Sequence, residues 1–189
     1  MRRNSHIQLG RFLARNCMHS VPKRYVYAFR FGCIEPDMNP ATYLKGSMHI
    51  QRLRGHNFNN SEKYMKRISD RLEKRGVNGI FSFYRLGRLV HYITDGFTFA
   101  HNEDFEGSLR EHSVYEHGLH EFFPGYLSRW GDSLLTKRLR GSAFSVIQRE
   151  HSEYMHQPAN VRRDSRFAIL TALSVVSIIM EASAAQTLL

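Results

Sequence analysis

His91-Tyr92-Ile93-Thr94-Asp95-Gly96-Phe97-Thr98-Phe99-Ala100-His101, followed by His112-Ser113-Val114-Tyr115-Glu116, is the stretch on which the reading of this chain turns. His91 and Asp95 are four residues apart, as are His112 and Glu116. On an α-helix that spacing puts both side chains on one face, about 6 Å apart at their Cβ atoms, where two donors can share one ion. His101 falls in the connection between the two helices. A single pair of this kind reads as a solvated ion pair. Two pairs with a histidine between them read as a metal site. Imidazole and carboxylate donors without thiolate suit zinc, and also manganese or iron, and are more typical of catalytic than of structural zinc.

The period outside this stretch is helical almost throughout. Ser5-His6-Ile7-Gln8 fits a capping box ahead of Leu9, Phe12 and Leu13. Pro22 opens a second helix, which carries Tyr25, Ala28 and Phe29 and ends at Gly32. Pro36 and Pro40 predict a rigid loop over 34–40. Tyr64, Met65, Ile68 and Leu72 form a narrow apolar stripe on a surface helix over 61–74. A more apolar helix is expected over 80–94, and a third long one over 109–123, stopping before Pro124-Gly125. Two or three further helices fill the remainder. No alternating strand pattern, internal repeat or low-complexity tract is present. The expected fold class is all-α: one domain over 1–189, a compact multi-helix bundle with the metal site between core helices.

The composition agrees. The chain has 189 residues, 42% of them hydrophobic, which is enough to bury a core and argues against disorder. Its formal charge of +10 favours anionic partners, from nucleic acid to lipid headgroups, without choosing among them. Cys17 and Cys33 are too few for a disulfide framework and read as reduced thiols. The basic start has no uninterrupted apolar core behind it, so no secretory signal is evident and a cytoplasmic, membrane-peripheral location is expected. Phe167 to Met180 is short of the roughly 20 residues that span a bilayer and reads as a buried helix. Trp130 reads as core. The clusters Arg71/Lys74/Arg75, Lys137/Arg138/Arg140 and Arg162/Arg163/Arg166 read as solvated surface able to touch an anionic membrane.

The segment from Leu86 to Asn102, with Glu111 to Glu116, resembles the signature of the bacterial zinc-dependent phospholipases C. That family has His-Tyr-x-x-Asp, a histidine ten residues after the first, and then His-x-x-x-Glu; all five positions are filled here. The resemblance extends to Ser5-His6, to Glu35-Pro36-Asp37 and to Arg54-Gly55-His56-Asn57-Phe58, and covers residues 5–122. It implies two or three Zn²⁺ ions: His56, His91 and Asp95 would hold one, His101, His112 and Glu116 a second, and His6 with a bridging Asp95 would share a third. It implies Asp37 as the catalytic acid of the Pro-Asp loop, which acts as general base or lies close to the metals. His49 competes with His56 as the upstream ligand, and the Gly-His-Asn context favours His56. Secreted members complete the third site with the amino end of an N-terminal tryptophan. No such tryptophan is present here, which leaves that position to water or another group.

The activity so implied is hydrolysis of a phosphodiester, with a phospholipid headgroup as the substrate class. A single-strand nuclease or nucleotidase of the same superfamily is the nearest rival, and the Tyr-Glu and Phe-Thr-Phe surroundings rank nucleic acid below lipid. The rival from another class is a non-catalytic, zinc-stabilised helical module that binds a membrane surface or a partner. Phe97, Phe99 and Phe122 read as core before pocket lining, and His117 and His120 as a helix face before support for the metal ligands.

Overall fold

The computed structural model describes residues 1–39, 58–102, 104–137 and 139–187. These form helices α1 (Arg3–Cys17), α2 (Lys23–Gly32), α3 (Glu35–Met38), α4 (Phe58–Arg75), α5 (Ile80–Gly96), α6 (Leu109–Leu135), α7 (Ala143–Met155) and α8 (Val161–Thr187), with a 3₁₀ turn at Phe99–His101. No strand occurs among the described residues. His49 and His56 lie outside them.

Two helices are central. α8 packs against α1, α4, α5, α6 and α7, and α5 against α1, α2, α3, α4 and α8. By length and composition Val161–Gln186 could cross a membrane, yet 67% of its most apolar window is buried inside the bundle. The buried run Phe167, Ala168, Ile169, Ala172, Leu173, Val175, Val176 and Ile179 explains this, because a helix apolar on most faces needs neighbours on most faces. Amphipathic α4 lies outside, burying Met65, Ile68 and Leu72 and exposing its charges.

Helices α2 and α5 meet backbone to backbone. A Cβ on Gly32 would collide with the Tyr84 carbonyl oxygen, and one on Gly87 with the Phe29 carbonyl oxygen. Only glycine at both positions lets the two backbones touch. Burial at this crossing is complete around Phe29, Cys33 and Leu86.

Several local expectations are corrected. α1 begins at Arg3, so Ser5 is a buried helical residue and not a cap; its Oγ lies 3.4 Å from His120 Nδ1. The predicted loop over 34–40 contains the one-turn helix α3, because Pro36 sits in its first turn, where no backbone donor is lost. α6 continues through Pro124 to Leu135. Burial of Phe123, Leu127, Gly131 and Leu134 along one stripe outweighs the roughly 3 kcal/mol that an interior proline costs. Trp130 is 43% exposed, since that stripe leaves position 130 on the outer face. Cys17 and Cys33 form no disulfide.

His151, to which the sequence assigned no role, is structural. It stacks on Phe58 with centroids 3.4 Å apart, and its Nε2 lies 3.0 Å from Asn102 Oδ1. Asn102 in turn donates to the carbonyls of Gly96 and Thr98, which fixes the loop before His101. Burial holds the His151 pKa down from 6.5 to about 4. Above pH 6.5 the ring is neutral whether the chain is folded or not. As pH falls from 6.5 to about 4 the unfolded chain takes up a proton that the folded one refuses, so stability drops across that window. In urea melts with chelator present, His151→Gln should show a shallower loss of stability over this window than wild type. Parallel curves would remove His151 from the account.

Candidate metal centre

Five elements converge at one end of the bundle. α1 brings His6, and Met1 precedes it. α3 brings Asp37, α5 ends with His91 and Asp95, the 3₁₀ turn carries His101, and the first turns of α6 carry His112 and Glu116. Donor atoms of His6, Asp37, His91 and Asp95 all lie within 4.8 Å of one another; so do those of His101, His112 and Glu116.

Asp95 stands between the two groups and is fully buried. Its Oδ1 is 3.2 Å from His6 Nε2, and its Oδ2 is 3.2 Å from His91 Nε2 and 3.7 Å from His101 Nδ1. The rings of His6 and His91 stack at 4.2 Å. Asp37 faces both, with 4.0 Å to His6 Nε2 and 3.8 Å to His91 Nε2. In the second group Glu116 Oε1 is 3.1 Å from His101 Nε2, and Glu116 Oε2 is 3.9 Å from His112 Nδ1. His6 Nε2 and the Asp95 carboxylate, which the resemblance pairs at a third position, lie 3.2 Å apart, and the His6 ring also faces the pocket of His91 and Asp37.

The Met1 amino group lies 2.8 Å from Asp95 Oδ1, 3.1 Å from Glu116 Oε1 and 3.4 Å from His101 Nε2. It stands between the two groups, within hydrogen-bond distance of a carboxylate from each. Burial alone would lower its pKa, but the charges of Asp95 and Glu116 reverse that and lift it from 8.0 to about 10.

The imidazoles divide. Burial and the neighbouring His91 lower the pKa of His6, and burial with the Met1 charge lowers that of His101. For His91 burial also lowers, but Asp95 and Asp37 outweigh it and the pKa rises. Burial raises the Glu116 carboxyl, yet the hydrogen bond with His101 and the Met1 charge carry it well below its ordinary range.

Supporting contacts set the orientations. His91 Nδ1 is 3.0 Å from the Cys33 carbonyl oxygen, which can only accept, so Nδ1 carries a hydrogen and Nε2 is the nitrogen turned to the pocket. Glu35 Oε2 pairs with Arg88 Nε at 3.3 Å, and its Oε1 accepts from Asn39 at 2.8 Å, which pins α3 and therefore Asp37. His117 Nδ1 lies 3.1 Å from an Arg2 guanidinium nitrogen on the exposed flank.

Asp164 was missed by the sequence reading. It is wholly buried at the start of α8. Its Oδ2 accepts from the Phe99 amide at 2.8 Å and from the Tyr115 hydroxyl at 2.8 Å; its Oδ1 accepts from Tyr154 at 2.9 Å and from Arg163 at 3.1 Å. It thus ties the turn that carries His101 to the helix that carries Glu116. Arg163, expected on the surface, is buried against it, with its guanidinium 3.8 Å from the Tyr154 ring centroid. A lone acid within Arg162-Arg163-Asp164-Ser165-Arg166 was the available signal.

Buried polar atoms normally find partners. Here both ring nitrogens of His6, Asp37 Oδ2 and His101 Nδ1 have no hydrogen-bond partner. Those unmet atoms belong to a set of four imidazoles and three carboxylates without thiolate, the donor chemistry zinc accepts. The residues present therefore fit the ion that the sequence implied. Phe97 and Phe99 flank the site from the core side: Phe97 is fully buried and packs on Tyr154 and Phe167, while Phe99 meets Tyr115 edge-on. Phe122 lies away on the outer face of α6, stacked on Tyr126.

No curated protein and no solved structure matches this chain. The model of one family, described as zinc dependent phospholipase C, matches residues 5–170, a span that takes in every side chain of the two donor groups together with Asp164. With most of its length matched, the chain belongs to the zinc-dependent phospholipase C family.

Proposed function

We propose that this protein hydrolyses a phosphodiester, with the headgroup linkage of a phospholipid as the substrate class, at a site holding at least two zinc ions. The observation that carries the reading is the pair of donor groups joined through Asp95, which offers two adjoining positions and not one. His6, His91, Asp95 and Asp37 would hold one ion; His101, His112 and Glu116 would hold the second, with the Met1 amine beside both. Zinc ions set close together supply positive charge against phosphate oxygens and acidify water.

The chain's own residues do the rest. The Cys33 carbonyl holds Nδ1 of His91 and turns its Nε2 to the pocket, and Asp95 keeps the rings of His6, His91 and His101 converged on one space. Asp37 has an oxygen without a hydrogen-bond partner and 16% of its side chain exposed, so it can take a proton from an attacking water and pass it to solvent. That double position, among the donors and at the solvent edge, lets Asp37 serve as ligand or as base. Its replacement by asparagine distinguishes the two, since loss of a base lowers turnover without lowering zinc content.

Elemental analysis of wild type and of His91→Ala/His112→Ala is the first test. Two or more zinc ions per chain are expected, falling sharply in the variant, together with release of phosphocholine from short-chain phosphatidylcholine. Stoichiometric zinc without turnover on lipid, on single-stranded DNA or on nucleotides would leave a zinc-stabilised binding module. No zinc, even after it is supplied, would sink the reading altogether.

A further inference from the structure

The first 34 residues contain Arg2, Arg3, Arg11, Arg15, Lys23, Arg24 and Arg30 and no aspartate or glutamate. The fold gathers four of these cations around one groove. Arg11 and Arg15 from α1 and Lys23 and Arg30 from α2 stand over an apolar floor that includes Met18 and Val26, in a volume of about 690 Å³. None of the four has a carboxylate partner among the described residues.

Beside this groove runs an unusual apolar edge. Tyr27 and Phe31 follow Lys23 at four-residue steps on α2 and are 62% and 51% exposed. Phe31 stacks on Tyr84 of α5, 6.0 Å between centroids. At the start of the same helix Ile80 and Phe81 are 51% and 76% exposed. Single exposed apolar residues are ordinary; several along one edge mark an interaction surface. The edge leads through α3, where exposed Met38 adjoins Asp37. Arg11 lies five residues beyond His6 on α1, about 8 Å along the axis, so the groove and the metal centre share a helix.

We infer that the α1–α2 face is the surface by which this protein settles on an anionic phospholipid bilayer. Arg11, Arg15, Lys23 and Arg30 meet the headgroups, and Tyr27, Phe31 and Phe81 reach the acyl boundary. Cations beside aromatic side chains suit the charge and polarity gradient of a membrane surface. A nucleic acid would satisfy the cations and could stack on Tyr27 or Phe31, but the exposed aliphatic Ile80 and Met38 on the same edge and the Met18–Val26 floor favour an apolar phase beside the charges. Of the clusters that the sequence singled out, Arg162/Arg163/Arg166 is less suited, since Arg163 is buried against Asp164. The inference takes its purpose from the phospholipid reading of the metal centre, and its measurement does not depend on that reading.

The test is co-sedimentation with vesicles of phosphatidylcholine and with vesicles enriched in phosphatidylglycerol. Wild type is expected to prefer the anionic vesicles and to lose that preference as salt shortens the screening length from about 10 Å toward about 3 Å. Arg11→Glu/Arg15→Glu/Lys23→Glu/Arg30→Glu should weaken binding by about tenfold or more. Tyr27→Ser/Phe31→Ser/Phe81→Ser should weaken what remains at high salt. Both variants should keep the zinc content and helical circular dichroism of wild type, and the same rate on monomeric short-chain lipid. Undiminished vesicle binding by folded variants overturns the inference. So does tight binding of a thymidine oligonucleotide, lost in the charge variant, with no binding to vesicles. If no lipid is hydrolysed while the variants still lose vesicle binding, the docking surface stands and the proposed activity falls.

Discussion

Asp95→Asn should abolish stoichiometric zinc and lower hydrolysis by about a thousandfold or more, a loss of roughly 4 kcal/mol in transition-state stabilisation. No other side chain in the centre touches as many partners: His6, His91, His101 and the Met1 amino group all lie within 3.7 Å of its two oxygens. An amide keeps the shape but loses the charge, and it offers one acceptor where two were used. The metal-free protein should suffer as well. The buried ammonium of Met1 and the raised His91 rely on Asp95 for their counter-charge. Removing one partner of a buried pair costs about 3–5 kcal/mol. In chelator, then, the variant should unfold at clearly lower urea concentration than wild type with Met1 as its first residue. Full zinc content in Asp95→Asn would move the centre of the site elsewhere.

Asp164→Ala should be nearly as damaging, though it lies outside both donor groups. Truncation strands the Phe99 amide, the hydroxyls of Tyr115 and Tyr154, and the Arg163 guanidinium in the interior. The expected cost is again about 3–5 kcal/mol, a large part of the 5–15 kcal/mol that holds a domain together. Asp164→Asn is the milder probe. It should fold, yet loosen the turn before His101 and the α6 face at Tyr115, lowering zinc affinity by about 10- to 100-fold. Titration of zinc against a chelator of known affinity reads this directly. Wild-type affinity in Asp164→Asn would reduce the network to a packing device.

The difference between these two residues shows what a sequence can disclose. Asp95 was legible because its role follows from local geometry: a histidine one helical turn before it and a second pair downstream. The helices α5 and α6 were legible for the same reason, through period and spacing. Asp164 was not, because its partners lie 49 and 65 residues away on α6 and in the turn, and no period links them. The continuation of α6 past Pro124 also needed tertiary information, since α1 and α8 supply surface that makes an interior proline tolerable. The place of Met1 beside Asp95 and Glu116 was not legible either, because no local period links residue 1 to residues 95 and 116.

The glycine crossing of α2 and α5 has a consequence beyond packing. Cys33, whose carbonyl oxygen orients His91, is the residue after Gly32, and His91 is one turn after Gly87. The hydrogen on the His91 ring is thus indexed by the separation of two backbones, as a gauge block sets the gap in an instrument. A methyl group at either glycine would carry no charge and touch no ligand, yet it would wedge the carbonyl away from the ring and release His91 to turn. The centre's chemistry is calibrated by the two smallest residues in its neighbourhood.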